Sequence, residues 1–537
     1  MMILLSFAVA MLVTTVALPP LRKHAAILGL VDVPTLARKV HSGSIPHSGG
    51  VAIILGVLAG LISWLPREAD SLPLLACMLF ITLMGLLDDI RDLGHRAKFL
   101  TQILACVALL SIYGGFPNVP FVGLDQAPLV ATLGYSAVFL IGVTNAINLS
   151  DGLDGLAAGS SLLSLVVLGL FAAQANEMAL LVITLSVAGG LAGFLRFNTH
   201  PASIFMGDTG SQFLGFTAGA LAILILQSDR LPFSPLVPVL LFGLPILDTL
   251  SVMVIRKVRG RSMFKADRSH IHHQLLHLGL RHYQVVIVLY VLQAACIAMA
   301  YRLRFSEDIL LLAAYLGFCT LVLGSILIAR LSGWRMGSPQ TSGNHDAERR
   351  HPIFRRLSWY HENTARSIAP VVGAFFVFGV AQIELQDPTF QTYARVLALA
   401  VIIAWFLLHR HIGLLVRAVC YAATALATYG VVFAQSTTIP QLWIDLWVLG
   451  IGLALALAIR VTRRSLFHLD SQDYLILLIV CVAPLLMPAS IDGVLATRIV
   501  IYLAVILYAC EYIATKGNRT RWALTAVGSL GIAQLAL

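Results

Sequence analysis

Long apolar runs, one after another with short polar breaks, constrain this chain more than any other feature. They fall near residues 2–19, 49–65, 72–87, 99–115, 127–147, 161–175, 178–195, 212–228, 234–255, 283–301 and 309–330. Each is close to the roughly 17 to 25 residues that a helix needs to cross the hydrocarbon of a bilayer. Six or seven more follow from residue 367 to the C-terminus. With 58% apolar and 12% charged residues and a mean hydropathy of +0.88, a soluble domain is excluded. The expected fold class is all-α: a polytopic transmembrane bundle of about 10 to 11 helices, extended by about 6 to 7 more. The first run has no basic residue before it and no small-x-small cleavage site, so it reads as a retained helix.

A polar stretch rich in Gly, Ser, Pro and Arg divides the chain. Residues 1–330 form one membrane-embedded domain, 331–366 a basic linker and 367–537 a second membrane module whose role the residues do not reveal. Within that module Arg417, Arg498 and Glu511 fall inside apolar runs, where charged side chains form intramembrane pairs or snorkel from helix ends. All seven cysteines lie in apolar runs and no CxxC pair exists, which speaks against a zinc knuckle or a disulfide framework.

Lys and Arg set the orientation. Arg22, Lys23, Arg38, Lys39, Arg91, Arg96, Lys98, Arg196 and a dense group from Arg256 to Arg281 occupy one set of alternate loops. The other set carries only Arg67, Arg230, Arg302 and Arg304. The positive-inside rule places the first set in the cytoplasm and the N-terminus outside. The net charge of +10 follows from this bias and from attraction to anionic membrane lipids, so nothing points to nucleic acid.

Acids are rare here, yet they recur in the polar breaks on the basic side. The sequence LLDDIRDLGHRAK places Asp88 and Asp89 beside Lys98; NAINLSDGLDGLAAG spaces Asn148, Asp151 and Asp154 by three, between glycines. In FNTHPASIFMGDTGS, Asp208 immediately precedes an apolar run. Capping would account for one such acid. Several converging carboxylates beside a bilayer instead call for a bound cation or a polar cavity. Magnesium prefers few carboxylates, several waters and phosphate oxygens, so mixed acids and cations suit a diphosphate. Further on, ADRSHIHHQLLHLGL packs His270, His272, His273 and His277 around Arg268. It lacks the histidine spacing of a helical zinc site and suits neutralising donors to phosphate, or an acid for a leaving group. The Pro- and Gly-broken stretch from 31 to 50 adds Arg38, Lys39, His41 and His47.

These motifs occur in one order on one side of the membrane, and from about residue 30 to 330 the chain resembles the polyprenyl-phosphate N-acetylhexosamine-1-phosphate transferases. The HIHH form resembles the initiators of O-antigen and common antigen more than the muramoyl-pentapeptide enzymes. The resemblance implies transfer of a sugar-1-phosphate, by default GlcNAc-1-phosphate, from a UDP-N-acetylhexosamine to undecaprenyl phosphate in the bacterial inner membrane. It implies Mg2+, with Mn2+ as a substitute, and allows a homodimer. Carried over by motif, Asp88, Asp89, Asp208, His270 and His272 form the catalytic set, with Asp88 deprotonating or positioning the lipid phosphate. Asp208 and Asn148 are the implied metal ligands. Lys98, Lys39, Asn145, Asn148, Asp151, Asp154, Asn198, Arg268 and His273 are the implied substrate-binding set, with Asp154 nearest the uridine. Residues 367–537 depart from the family pattern. A multi-span transporter or ion-coupled carrier is the rival class; it predicts acids within spans and two related halves, neither of which is visible.

Overall fold

The computed structural model describes residues 2–32, 45–65, 71–122, 127–260, 269–335, 367–379, 439–462 and 493–514, with isolated positions between 381 and 478. Every apolar run before residue 331 is helical. The helices are α1 (Met2–His24), α2 (Gly49–Trp64), α3 (Leu72–Arg91), α4 (Gly94–Tyr113), α5 (Leu129–Ser150), α6 (Leu156–Ala175) and α7 (Met178–Asn198). They continue as α8 (Gly207–Leu226), α9 (Val237–Leu241), α10 (Gly243–Val258), α11 (Ile271–His277), α12 (His282–Arg302) and α13 (Asp308–Leu331). Eight helices among the described residues are long and apolar enough to cross a membrane. The all-α polytopic expectation holds; the one strand pair described is two residues long, Val31–Asp32 against Ile45–Pro46.

Helix α8 is the axis. It is buried along nearly its whole length and packs against α2, α3, α5, α6 and α7. Small residues permit this, because apolar surface alone does not drive helices together in lipid and close backbone approach must. A Cβ on Gly85 of α3 would lie 2.8 Å from the Asp208 carbonyl oxygen and 2.8 Å from the Thr209 Cα. A Cβ on Gly50 at the start of α2 would lie 2.3 Å from the Gly210 amide nitrogen. At the periphery, α4 and α13 keep apolar side chains such as Leu104, Val107, Leu321 and Ile328 exposed, as a lipid-facing surface requires.

The run from 234 to 255, which carries Gly243 and Pro245, is broken as those residues predict. The break falls at Phe242, between α9 and α10. Backbone groups freed inside a membrane need partners, and two buried side chains provide them. Gln293 donates to the Leu241 carbonyl at 2.7 Å and accepts from the Leu244 amide at 3.2 Å, while Ser164 donates to the same carbonyl at 2.7 Å.

Helix ends depart from the sequence expectation. The acids were read as lying in connectors, but α3 runs on through Asp88 and Asp89, α5 reaches Ser150, and α8 begins at Gly207. Hydropathy alone ends a span at its first charged residues. The helices continue because those residues find polar partners on neighbouring helix ends.

The chain divides into two compact units, one of residues 5–338 with 470–482 and the other of 339–469 and 483–537 with 1–4. In the second, Ser367–Gly379 is helical, and α14 (Gln441–Thr462) packs on α15 (Gly493–Ala514). Arg498 makes a two-pronged pair with Asp445 at 3.1 and 3.0 Å, and the Tyr502 hydroxyl donates to the same carboxylate. Arg417 and the side chain of Glu511 lie outside the described residues, as does the linker from 336 to 366.

Replacing Gly85 by Ala forces a methyl group into the backbone of α8's first turn. We expect Gly85→Ala to cost about 1–3 kcal/mol and to lower the thermal unfolding midpoint of the detergent-solubilised protein. A midpoint equal to that of the unaltered chain would refute the close α3–α8 contact.

Candidate active site

Four helix ends meet at the polar end of the first unit: the last turns of α3 and α5 and the first turns of α4 and α8. They bring Asp88, Asp89, Lys98, Asn148 and Asp208 together. Lys98 Nζ lies 2.6 Å from Asp88 Oδ2 and 2.9 Å from Asp208 Oδ2, so two acids 120 positions apart in the chain flank one cation. Asp88 also accepts the Leu93 amide at 3.0 Å, which folds the α3–α4 turn back onto its carboxylate. The Asn148 amide donates to Asp208 Oδ1 at 2.7 Å and to Ser211 Oγ at 2.7 Å.

Asp89 has a different role from its neighbour. Its Oδ1 accepts the Asp208 amide at 2.7 Å; its Oδ2 accepts the Thr209 amide at 2.9 Å and hydroxyl at 2.5 Å. These are unpaired N–H groups of a helix start, and a carboxylate there is favoured by both hydrogen bonding and the helix dipole. Asp89, expected among the catalytic acids, thus caps α8 from another helix and fixes where Asp208 points.

The DGLDG segment lies between α5 and α6. Asp151, at the C-terminus of α5, has its carboxyl pushed up to about 7, first by withdrawal from water and then by the charges of Asp208, Asp89 and Asp154. Asp154 is buried and turns to His200 Nδ1 at 2.7 Å and the Ala202 amide at 3.1 Å. Asn198 accepts the Gly155 amide at 2.9 Å and donates to the Ile204 carbonyl at 3.0 Å, tying this segment to the stretch before α8. Asn145 donates to Gln102 at 2.7 Å and to the Ile141 carbonyl at 2.8 Å. Both asparagines, expected to bind substrate, are engaged in holding helices together.

The histidines reach this segment through α11. A Cβ on Gly152 would lie 2.9 Å from His272 Nε2, so only a glycine beside Asp151 lets the ring approach. His272 is buried between His270, at 5.3 Å between ring centroids, and His273, at 4.3 Å. Burial, and then the neighbouring imidazoles, hold its pKa down to about 3, which leaves the ring uncharged. His270 Nδ1 lies 2.8 Å from Asp248 Oδ2, and the Ile271 amide donates to Asp248 Oδ1 at 2.6 Å.

Asp248, on α10, was hidden inside an apolar run. The signal was present, since an acid at membrane depth marks a polar interior. His200 and His282 carried no sequence pattern. Lys39 and Arg268 lie outside the described residues.

Asp248 fastens the histidine helix by two bonds. In Asp248→Ala the Ile271 amide and the His270 ring lose their acceptor, a local cost of about 1–3 kcal/mol. Hydrogen exchange should speed up across Ile271–His277 while α8 keeps its protection; unchanged exchange in α11 would refute the anchoring.

The glycosyl transferase family 4 model matches residues 71–226, the segment from α3 to α8. A probable undecaprenyl-phosphate N-acetylglucosaminyl 1-phosphate transferase from Bacillus subtilis (strain 168) is 36% identical over 295 residues, covering 54% of this chain and 82% of that protein. An undecaprenyl-phosphate alpha-N-acetylglucosaminyl 1-phosphate transferase from Yersinia pestis is 30% identical over 318 residues, 56% of this chain and 86% of its own. A decaprenyl-phosphate N-acetylglucosaminephosphotransferase from Mycobacterium tuberculosis is 34% identical over 316 residues, 52% and 77% respectively. Relatives at least 30% identical and aligned over most of their own length show that the chain belongs to glycosyl transferase family 4, the multi-span membrane enzymes that transfer phospho-sugars onto polyprenyl phosphates.

Proposed function

We propose that this chain transfers an N-acetylhexosamine-1-phosphate, by default GlcNAc-1-phosphate, from a UDP-sugar to undecaprenyl phosphate, at the cytoplasmic face of the bacterial inner membrane. The observation that carries this reading is the convergence of Asp88 and Asp208 on one cation at the polar end of membrane helices. An enzyme joining a lipid phosphate to a nucleotide diphosphate needs such charges where lipid and water meet. The activities named for the relatives from Bacillus subtilis and Yersinia pestis support the same acceptor and sugar.

In the reaction, an oxygen of the lipid phosphate attacks the sugar-bearing phosphorus of the donor. The bond from that phosphorus to the bridging oxygen breaks, and UMP leaves with the electron pair. Both reactants are anions, so positioning and charge neutralisation supply most of the catalysis. Asp88 orients the acceptor phosphate or takes its remaining proton, and Lys98 holds its charge. Asp89 acts at one remove by fixing α8. The α11 histidines face the donor diphosphate from the DGLDG side, with His272 neutral. Direct in-line attack needs only modest base catalysis, because the acceptor is already ionised.

The donor set suits magnesium. Asp88, Asp208 and Asn148 offer hard oxygens, and Lys98 alone offsets one of the two carboxylate charges it touches. Bound there, magnesium would neutralise phosphate oxygens as charge shifts between them, and manganese shares that ligand preference. A transporter reading is disfavoured because the clustered acids of the first unit lie at one end of the bundle.

Purified full-length protein given UDP-GlcNAc, undecaprenyl phosphate and Mg2+ should release UMP, and chelation should stop it. Asp208→Asn and Asp88→Asn should each lower the rate by at least about 100-fold while the protein stays folded in detergent. Near-normal turnover in Asp208→Asn would remove the metal assignment.

The pH dependence has a defined sign. A carboxyl raised to about 7 is neutral below that value, so the negative charge Asp151 places near Asp208, and with it part of the pull on a cation held there, is lost. Apparent Mg2+ affinity should fall by up to about tenfold per pH unit below 7, and Asp151→Asn should flatten that slope. Without a cation, Asp151 contributes fully to stability below the pKa of an unfolded carboxylate, and this is lost as pH rises through about 7. Thermal midpoints across pH 4 to 8 test the sign; stability rising across that window in proportion to Asp151 ionisation would contradict it.

A further inference from the structure

One turn of chain holds the carboxylate of Asp154. Its Oδ2 accepts from His200 Nδ1 at 2.7 Å and from the Ala202 amide at 3.1 Å, and the side chain is only 3% exposed. Oδ1 accepts from none of the described residues. The turn that supplies both donors is fixed at its own ends. The Ser203 amide donates to the Phe197 carbonyl at 2.8 Å, and Asn198 ties the Ile204 carbonyl to the Gly155 amide. Behind His200 lies His282, the first residue of α12, with ring centroids 4.0 Å apart and planes 12° from parallel. The stack sets the plane of the His200 ring. An ionised carboxylate only accepts, so Nδ1 of His200 carries the proton.

We propose that His200 is a positioning residue for the donor nucleotide: it holds Asp154 by Oδ2 and so presents Oδ1 to an N–H or O–H group of the nucleoside. The inference rests on the UDP-sugar reading above. The terminal torsion of an aspartate is broad, so rotamer preference alone does not set the plane of its carboxylate. Two donors converging on one oxygen do set it, and they leave the other oxygen with its acceptor capacity unused. A buried acceptor without a donor is costly, and a ligand that brings one is bound the more tightly for it.

The chemistry of the donor narrows what Oδ1 receives. A carboxylate repels the diphosphate, which leaves the N–H and O–H groups of the nucleoside and of the sugar. The sugar stays on the phosphorus that reacts, beside the acceptor phosphate held by Asp88 and Lys98. Asp154 bonds none of the groups around Lys98, so the nucleoside, farther from the reacting phosphorus, is the part it meets. This contact is made alike in the bound donor and during transfer. Its loss therefore weakens donor binding without slowing the bound complex. No proton of the reaction passes through His200.

The test measures UMP release by the full chain in detergent with Mg2+, varying UDP-GlcNAc and undecaprenyl phosphate separately. His200→Phe keeps a flat ring against His282 and removes only the donor. It should raise KM for UDP-GlcNAc about tenfold, with kcat and the KM for undecaprenyl phosphate within about twofold. Inhibition by added UMP should weaken by the same factor, which assigns the contact to the nucleoside and not to the sugar. His200→Asn, whose amide donates from near the place of Nδ1, should bring the donor KM back to within about threefold of the unaltered chain. His200→Ala repeats the comparison without a ring, at a side chain 40% exposed that the fold does not need to fill. It should match His200→Phe. The proposal fails if the donor KM is unchanged in both His200→Phe and His200→Ala, if kcat falls instead, if UMP inhibition is unaffected, or if His200→Asn is no better than His200→Ala. Those failures are read in an active unaltered chain; one that releases no UMP at all overturns the transferase reading, and this inference with it.

Discussion

The contact of α3's last turn with the first turn of α8 is the constraint on which the rest of the site depends. Asp89 satisfies unpaired amides of α8, and in doing so it places Asp208 within reach of Lys98. Lys98 in turn draws in Asp88. Lone carboxylates beside hydrocarbon cost several kcal/mol each, so none of these groups is stable there by itself. Glycine makes the arrangement sterically accessible, since Gly85 brings the α3 backbone against Asp208 and Thr209. Adjacent acids therefore divide the work: Asp89 builds the platform and Asp88 pairs with Lys98.

The same economy of partners governs the membrane interior. The α9–α10 break would leave backbone groups unsatisfied in lipid, and Gln293 and Ser164 meet them from α12 and α6. Beyond the break, α10 carries Asp248, which bonds the histidine helix at His270 and Ile271. Helix discontinuity and site construction are linked in this protein, because the broken helix presents an acid that a straight lipid-facing helix would have to exclude. In the second unit, Arg498 and Asp445 obey the same rule by pairing with each other and with Tyr502.

Much of the site was legible because acids are so few. Asp88, Asp151, Asp154 and Asp208 stood out against apolar surroundings, and their order matched a family pattern. Their division of labour was not legible. Nothing in the DD pair says which acid caps a helix 119 positions away, and nothing in NAINLSDGLDG separates Asn148, which touches Asp208, from Asn145, which braces Gln102. Asp248 was overlooked because a single acid does not alter the hydropathy of its run. His200 and His282 meet only because three distant segments converge.

The sequence by itself determined the class of fold and which polar breaks hold the basic residues and the acids. Apolar length and basic-residue bias are local, additive properties, and no tertiary contact is needed to express them. Tertiary structure alone decided which polar groups face one another, how far helices extend past their first charges, and which histidine remains neutral. Those outcomes depend on burial and on partners remote in the chain, where distances of 3 Å between groups determine charge and no periodicity records them.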